Sequence, residues 1–160
     1  MLYLGTFAVM CAVFMIWREY SAFLDGELKW CREMIRAIGD LGERMRCYLS
    51  SPREWAQRYE SELLAGCGFL DRLKGGESLE DAFVHSEGGM ELTDEVRDAV
   101  YGCFSGFGGG YLDGELESLG LALEKLRAAE QGLAGELPGR RKAVGAILGA
   151  CALGIVILIM

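Results

Sequence analysis

His85 is the only histidine in the chain, so a catalytic triad of the Ser-His-Asp or Cys-His type would have to be built on it. Nothing near it in sequence supplies a matching nucleophile, and the simpler reading places it on the surface or at a helix end. Zinc needs several clustered Cys or His ligands. The six cysteines, Cys11, Cys31, Cys47, Cys67, Cys103 and Cys151, form no CxxC pair. They read as reduced packing residues, as expected in a cytosolic setting. Gly106-Phe107-Gly108-Gly109-Gly110-Tyr111 has the composition of a phosphate-cradling loop. Such a loop follows a strand and opens a helix, whereas this one follows a helical pattern, so it reads as a turn between helices. Glu77, Glu80 and Asp81 lie close together, with no second carboxylate group to complete a di-metal site. The chain therefore reads as non-enzymatic, with no catalytic residue, no cofactor and no metal.

Charge distribution narrows the partners. The chain has 160 residues, 16 basic and 24 acidic, for a net charge of -8. An acidic surface argues against nucleic acid, whose phosphates select basic proteins. The acids are dense between residues 71 and 98, where Asp71, Glu77, Glu80, Asp81, Glu91, Asp94, Glu95 and Asp98 stand against only Arg72, Lys74 and Arg97. These residues are the candidate partner interface. The simpler alternative is that they keep the fold soluble.

Every charged side chain lies between Arg18 and Lys142. The ends, 1–17 and 143–160, are apolar and uncharged, which suits lipid because a charge at the centre of a bilayer costs roughly 2.5 kcal/mol or more. Each is therefore expected to be a transmembrane segment, although a spanning helix needs about 20 apolar residues and both are short. The N-terminal segment lacks a basic start and a small-residue cleavage site, so it reads as a retained anchor rather than a signal peptide. Arg18, Lys29, Arg32 and Arg36 follow the first segment, and Arg140, Arg141 and Lys142 precede the second. The positive-inside rule then puts 18–142 in the cytoplasm. The expected localisation is that of an integral membrane protein, in contact with membrane lipid. Gly145 and Gly149 make a GxxxG step, which either allows close helix packing in lipid or reflects the ordinary tolerance of glycine in membrane helices.

The elements that position these residues are helical throughout. Leu24, Leu28, Cys31, Ile35, Ile38, Leu41, Met45 and Leu49 recur at steps of three or four, one apolar stripe on a helix that continues from the first segment. Such a helix, from the N-terminus to residue 49, would be roughly 70 Å long. Gly26 and Gly39 are expected to weaken it. Ser51-Pro52-Arg53-Glu54 is a helix start with a capping box. It opens a helix with Trp55, Tyr59, Leu63, Cys67 and Leu70 on one face, ended by Gly75-Gly76. Ser78 caps a short helix stopped by Gly88-Gly89, and Thr93 caps another. After the glycine turn, Asp113 is expected to cap a long helix that Pro138-Gly139 kinks or breaks. No strand pattern appears. The fold class is all-α: an antiparallel helical bundle of about five helices with one transmembrane helix at each end. Its expected core contains Trp55, Tyr59, Phe83, Val100, Phe104, Leu119, Leu123 and Leu126.

Several of these segments carry a resemblance. An apolar start leads at once into a long helix. Ser50-Ser51-Pro52 opens the second helix, and Ser78-Leu79-Glu80-Asp81-Ala82-Phe83 forms a short mid-chain helix. Phe107-Gly108 and Gly110-x-x-Asp113 mark the turn, and a basic, then glycine-rich, then apolar segment closes the chain. This layout resembles the stage III sporulation protein AB family of endospore-forming bacteria, itself similar to the membrane platform proteins of type II secretion and type IV pilus systems. The chain departs from the family at Gly109, where a leucine is usual, and at Glu117, where glutamine is common. The resemblance implies a non-enzymatic scaffold in the mother-cell membrane around the forespore. It would couple a secretion-type ATPase, stage III sporulation protein AA, to the other stage III A membrane proteins. The alternatives are a membrane-anchored enzyme and a secreted helical domain.

Overall fold

In the computed structural model, the structure describes residues 2–159, with side chains described at 8–155 and 157. All regular structure among them is helical, in the order α1 (Leu2–Tyr48), α2 (Pro52–Arg58), α3 (Glu62–Gly66), α4 (Phe69–Gly75), α5 (Leu79–Ser86), a 3-10 turn (Glu87–Gly89), α6 (Asp94–Phe104) and α7 (Leu112–Ile159). The helices form two compact units: Met1–Gly26 with Gly132–Met160, here the terminal unit, and Glu27–Gln131, the central unit.

α1 runs for 47 residues because no proline interrupts it, and Gly26 and Gly39 are absorbed without a break. It ends where Leu49 turns into the left-handed region at φ 52° while its N–H still donates to the Met45 carbonyl at 3.1 Å. In the central unit its buried face is Cys31, Met34, Ile38, Leu41 and Met45, spaced at three and four residues. α7 presents Leu119, Ala122, Leu126 and Ala129 with the same spacing. Cys31 donates its S–H to the Leu126 carbonyl at 3.6 Å, and Arg32 pairs with Glu130 at 2.7 Å. Full burial of each large aliphatic chain contributes roughly 1.5–3 kcal/mol.

The short helices depend on caps, since helices below about 12 residues are marginal by themselves. Ser51 accepts from the Glu54 N–H while Glu54 accepts from the Ser51 N–H, the capping box expected there. Ser78 and Thr93 cap α5 and α6 as expected, by accepting from the Asp81 and Val96 N–H groups. α4 packs against α2, α3 and α5, and α5 against α6. Phe104 joins them, stacked on Phe69 with ring centroids 6.1 Å apart and meeting Phe83 edge-on at 5.8 Å. Trp55, Phe83, Val100, Phe104, Leu119 and Leu126 are buried, as expected. Tyr59 and Leu123 are only half-buried.

Four expectations are corrected. The helix expected from Ser51 to Gly75 is three helices, because Tyr59 is extended, Ser61 caps a new start by accepting from the Leu64 N–H, and Gly68 sits at φ 81°. The expected stop at Gly75-Gly76 holds, with Gly76 at φ 99°. Asp113 is not the cap of α7. The helix begins at Leu112, with the Tyr111 carbonyl accepting from Gly114 and Glu115, which leaves Asp113 inside the first turn. Pro138 lies inside α7 without ending it, since a helix this long retains hydrogen bonds on both sides of the one that proline removes.

The fourth correction concerns the ends. Among the described residues no helix is long and apolar enough to cross a membrane. The two expected transmembrane segments and the integral-membrane localisation are therefore set aside. The apolar ends number 17 and 18 residues, short of the roughly 20 that a span requires. α1 meets Arg18-Glu19 directly after its apolar stretch, and α7 meets Arg140-Arg141-Lys142 directly before its own. The outermost side chains of those expected segments, at 1–7, 156 and 158–160, lie outside the described residues.

Candidate functional site

A cleft of about 530 Å³ lies in the central unit where five chain segments meet. Met45 and Leu49 come from the end of α1, and Ser50 to Arg53 from the start of α2. Gly76 to Leu79 come from the start of α5, Phe107 and Gly108 from the turn after α6, and Glu115 from α7. Each segment is placed by a local device. Pro52 and the capping box fix the start of α2. Gly76, in the left-handed region, returns the chain from α4 so that Ser78 can cap α5. Gly108, at φ 94°, takes a conformation that L side chains rarely adopt, and its N–H donates to the Glu115 carboxylate at 2.9 Å. The glycine turn thus holds itself to the following helix through a charge-assisted hydrogen bond.

The segments Ser50-Ser51-Pro52, Ser78-Leu79 and Phe107-Gly108 are far apart in sequence and meet in this one cleft. Of the remaining turn-motif residues, Gly110 lines a small adjacent recess with Cys103 and Ser118, and Asp113 is exposed. No protein-family model, curated protein or solved structure matches the chain.

The acidic candidate residues do not form one free face. Asp71 pairs with Lys74 at 3.6 Å, and Asp94 with Arg97 at 2.8 Å. Glu77, half-buried in the cleft wall, holds both Arg72 at 3.2 Å and His85 at 3.1 Å, which gives the single histidine a structural partner. Glu80 accepts from the Tyr101 hydroxyl at 3.0 Å, tying α5 to α6 and pushing that phenol's pKa up. Asp81 accepts from the Ser78 hydroxyl at 2.7 Å. Glu91, Glu95 and Asp98 are exposed and, among the described residues, make no ion pair or hydrogen bond. Glu87, which the sequence reading passed over, shares Arg97 with Asp94 at 3.8 Å.

Two carboxylates missed in the sequence tie α2 to α1. Glu33, buried at 7 % exposure, accepts from the Tyr59 hydroxyl at 3.0 Å and pairs with Arg36 at 3.2 Å. Asp40 accepts from the Trp55 ring N–H at 2.8 Å and from Arg44 at 2.8 Å. Burial and the Glu33 carboxylate push the Tyr59 phenol well above its usual range. Trp55 and Tyr59 stack at 4.7 Å between these acids. The available signal was a Trp and a Tyr four residues apart on one helix turn, both needing a polar partner when buried.

Burial pushes the Cys31 and Cys103 thiols up to about 11, so neither carries appreciable thiolate near neutral pH. Burial also raises the Cys67 thiol. Among the described residues no group of three or more His, Cys, Asp or Glu side chains is placed to hold a metal ion.

The two glycines of the GxxxG step behave differently within the terminal unit. A Cβ on Gly145 would rest 3.6 Å from the Trp17 ring nitrogen, so this glycine faces α1. A Cβ on Gly149 would meet nothing within 4 Å among the described residues. Nearby, Arg141 pairs with Asp25 and reaches the Ser21 carbonyl.

Proposed function

We propose that the chain is a non-catalytic helical scaffold of a sporulation-specific, secretion-like apparatus. It binds a secretion-type ATPase, stage III sporulation protein AA, and links it to the other stage III A proteins of the mother cell. The observation that carries this reading is the convergence of the resemblance-bearing segments at 50–52, 78–79 and 107–108 on one cleft. Their shared location gives a binding surface a physical basis that short motifs scattered along a sequence lack.

An antiparallel bundle is part of the proposal. Along α1 the partners Cys31 and Gly42 meet Leu126 and Leu119, so contacts descend α7 as they ascend α1, which supports that direction. The absence of turnover is supported by the raised thiols and by the engagement of His85 with Glu77. The acids that make no ion pair or hydrogen bond among the described residues, Glu91, Glu95 and Asp98, supply charge that speeds and selects association with a basic partner.

The test is co-purification of the full chain with the ATPase. Binding is expected, and reversal of Glu91, Glu95 and Asp98 to Lys should weaken it about tenfold or more, with a strong salt dependence. Absence of any complex with the full chain overturns the ATPase assignment.

A further inference from the structure

The central cleft has a strained apolar residue at its mouth. Leu49 is the only non-glycine among the described residues with a positive φ, and its side chain is 75 % exposed. The left-handed conformation closes the end of α1 through the Leu49 N–H to Met45 carbonyl bond, a place glycine fills far more readily than leucine. Non-glycine residues held there tend to mark sites where the displayed side chain matters. Tyr48 beside it is equally exposed, and Pro52 and Phe107, both half-buried, continue the apolar lining.

Charge around the cleft is mixed with an acidic excess, since Arg72 pairs with Glu77 in its wall. Arg53 is the one cation among its lining residues. Glu77 and Glu115 stand in the wall. Glu54 and Asp81 lie beside it, bonded to the lining residues Ser51 and Ser78. A small ligand would need convergent polar atoms free to fix its orientation. Here those atoms are engaged: Glu115 with the Gly108 N–H, Glu77 with Arg72 and His85, and the Ser51 and Ser78 hydroxyls with their own helix starts. What remains on offer is apolar contact within a negative field. That combination suits a protein segment whose apolar side chain enters a pocket while flanking cations face the acidic rim.

We propose that this cleft docks an apolar segment of a partner protein flanked by Lys or Arg, with Leu49 and Phe107 as apolar contacts and Glu54 and Glu115 as the acidic surround. The proposal rests on the scaffold reading and adds to it the site and the chemistry of the segment bound.

Fluorescent peptides test it directly on the full chain. One carries a Leu-Phe centre flanked by Lys, a second replaces each Lys with Glu, and a third keeps Lys but replaces Leu and Phe with Ser. The first should bind at least tenfold more tightly than either of the others. Leu49→Asp should weaken it at least tenfold, and Arg53→Glu should strengthen it several-fold. Leu49→Gly removes the strain together with the side chain, so it should weaken peptide binding while the fold becomes no less stable, which separates lost contact from misfolding. Equal binding of the Lys and Glu peptides overturns the proposal. So does indifference to both Leu49 variants, or occupation of the cleft by small fragments that peptides fail to displace. If peptides bind as expected but the ATPase does not, only the identity of the partner falls. If the ATPase binds a Leu49→Asp, Phe107→Ser chain undiminished, the scaffold reading stands and the cleft is discarded.

Discussion

The terminal and central units invert the usual relation between apolar sequence and apolar core. The terminal unit has the more apolar sequence, yet many of its described large hydrophobic side chains are exposed, among them Met10, Phe14, Met15, Ile16, Ile147, Leu153 and Ile157. The central unit carries most of the charge and still buries Trp55, Phe69, Phe83, Leu64, Leu70 and Leu73 almost completely. Two helical segments by themselves bury only the stripe along which they face each other. The central unit surrounds its apolar residues with short helices from several directions. Burial here follows the number of neighbouring elements rather than hydropathy.

Truncation in the two units should break or sharpen that contrast. Phe83→Ala removes a fully buried ring that meets Phe104 edge-on, and should cost about 3–5 kcal/mol in urea unfolding of the full chain. Met15→Ala, at a side chain 61 % exposed, should change the same measurement by less than about 0.5 kcal/mol. A comparable loss at both positions would show that the terminal unit has a buried core after all. Leu123→Ala should fall between them, since that residue is half-buried beside Gly39, Gly42 and Arg127.

The next effect is polar. Glu33→Ala leaves the Tyr59 hydroxyl without its acceptor and should cost about 1–3 kcal/mol, visible as a lower melting temperature. Glycine substitutions come third. Gly76→Ala forces a side chain into φ 99° and should cost roughly 1–2 kcal/mol. Gly149→Ala, within α7 and with nothing among the described residues within 4 Å of the added Cβ, should be neutral or stabilising by up to about 1 kcal/mol through helix propensity. If Gly149→Ala proves as damaging as Gly76→Ala, then that glycine is packed against something in solution.

The smallest effect is chemical. At pH 8 an alkylating reagent should modify the exposed Cys47 readily and leave Cys31 and Cys103 intact, as mass spectrometry of short exposures would reveal. Both buried thiols have folded pKa values above the ordinary value of 9.0, so the unfolded chain ionises first as pH rises. Stability is then retained below pH 9 and falls between about 9 and 11. A flat profile across that range would place the two thiols in contact with solvent.

What the sequence made legible was mostly local. The caps at Ser51, Ser78 and Thr93, the stop at Gly76 and most of the stripe from Leu24 to Leu49 each follow from residues within one or two helical turns, although Leu49 itself is exposed past the end of α1. Features set by competition between signals were harder to read. Tyr59 to Gly68 had an apolar periodicity that favoured one helix, yet the Ser61 cap and the left-handed Gly68 divided it. The ends were judged by absence of charge, a criterion that passes short segments as readily as long ones. The cleft was not visible at all, because its walls come from residues as distant as Met45 and Glu115. Nor were the Glu33 and Asp40 contacts, since an acid within a helix ordinarily faces water and only the tertiary fold turns these two toward α2.

The Trp55 ring, with its N–H held by Asp40 and its face on Tyr59, has a consequence for observing the molecule in motion. Trp55 and Trp30 are buried, whereas Trp17 is 37 % exposed. Replacing Trp17 and Trp30 by Phe would leave one tryptophan, selectively excited at wavelengths beyond tyrosine absorption, reporting on the seam between α1 and α2, directly behind the start of the helix that forms one wall of the cleft. A dissolved quencher such as acrylamide would reach that ring only when the seam opens. The rate of light loss would then time the loosening of α2 without any attached label.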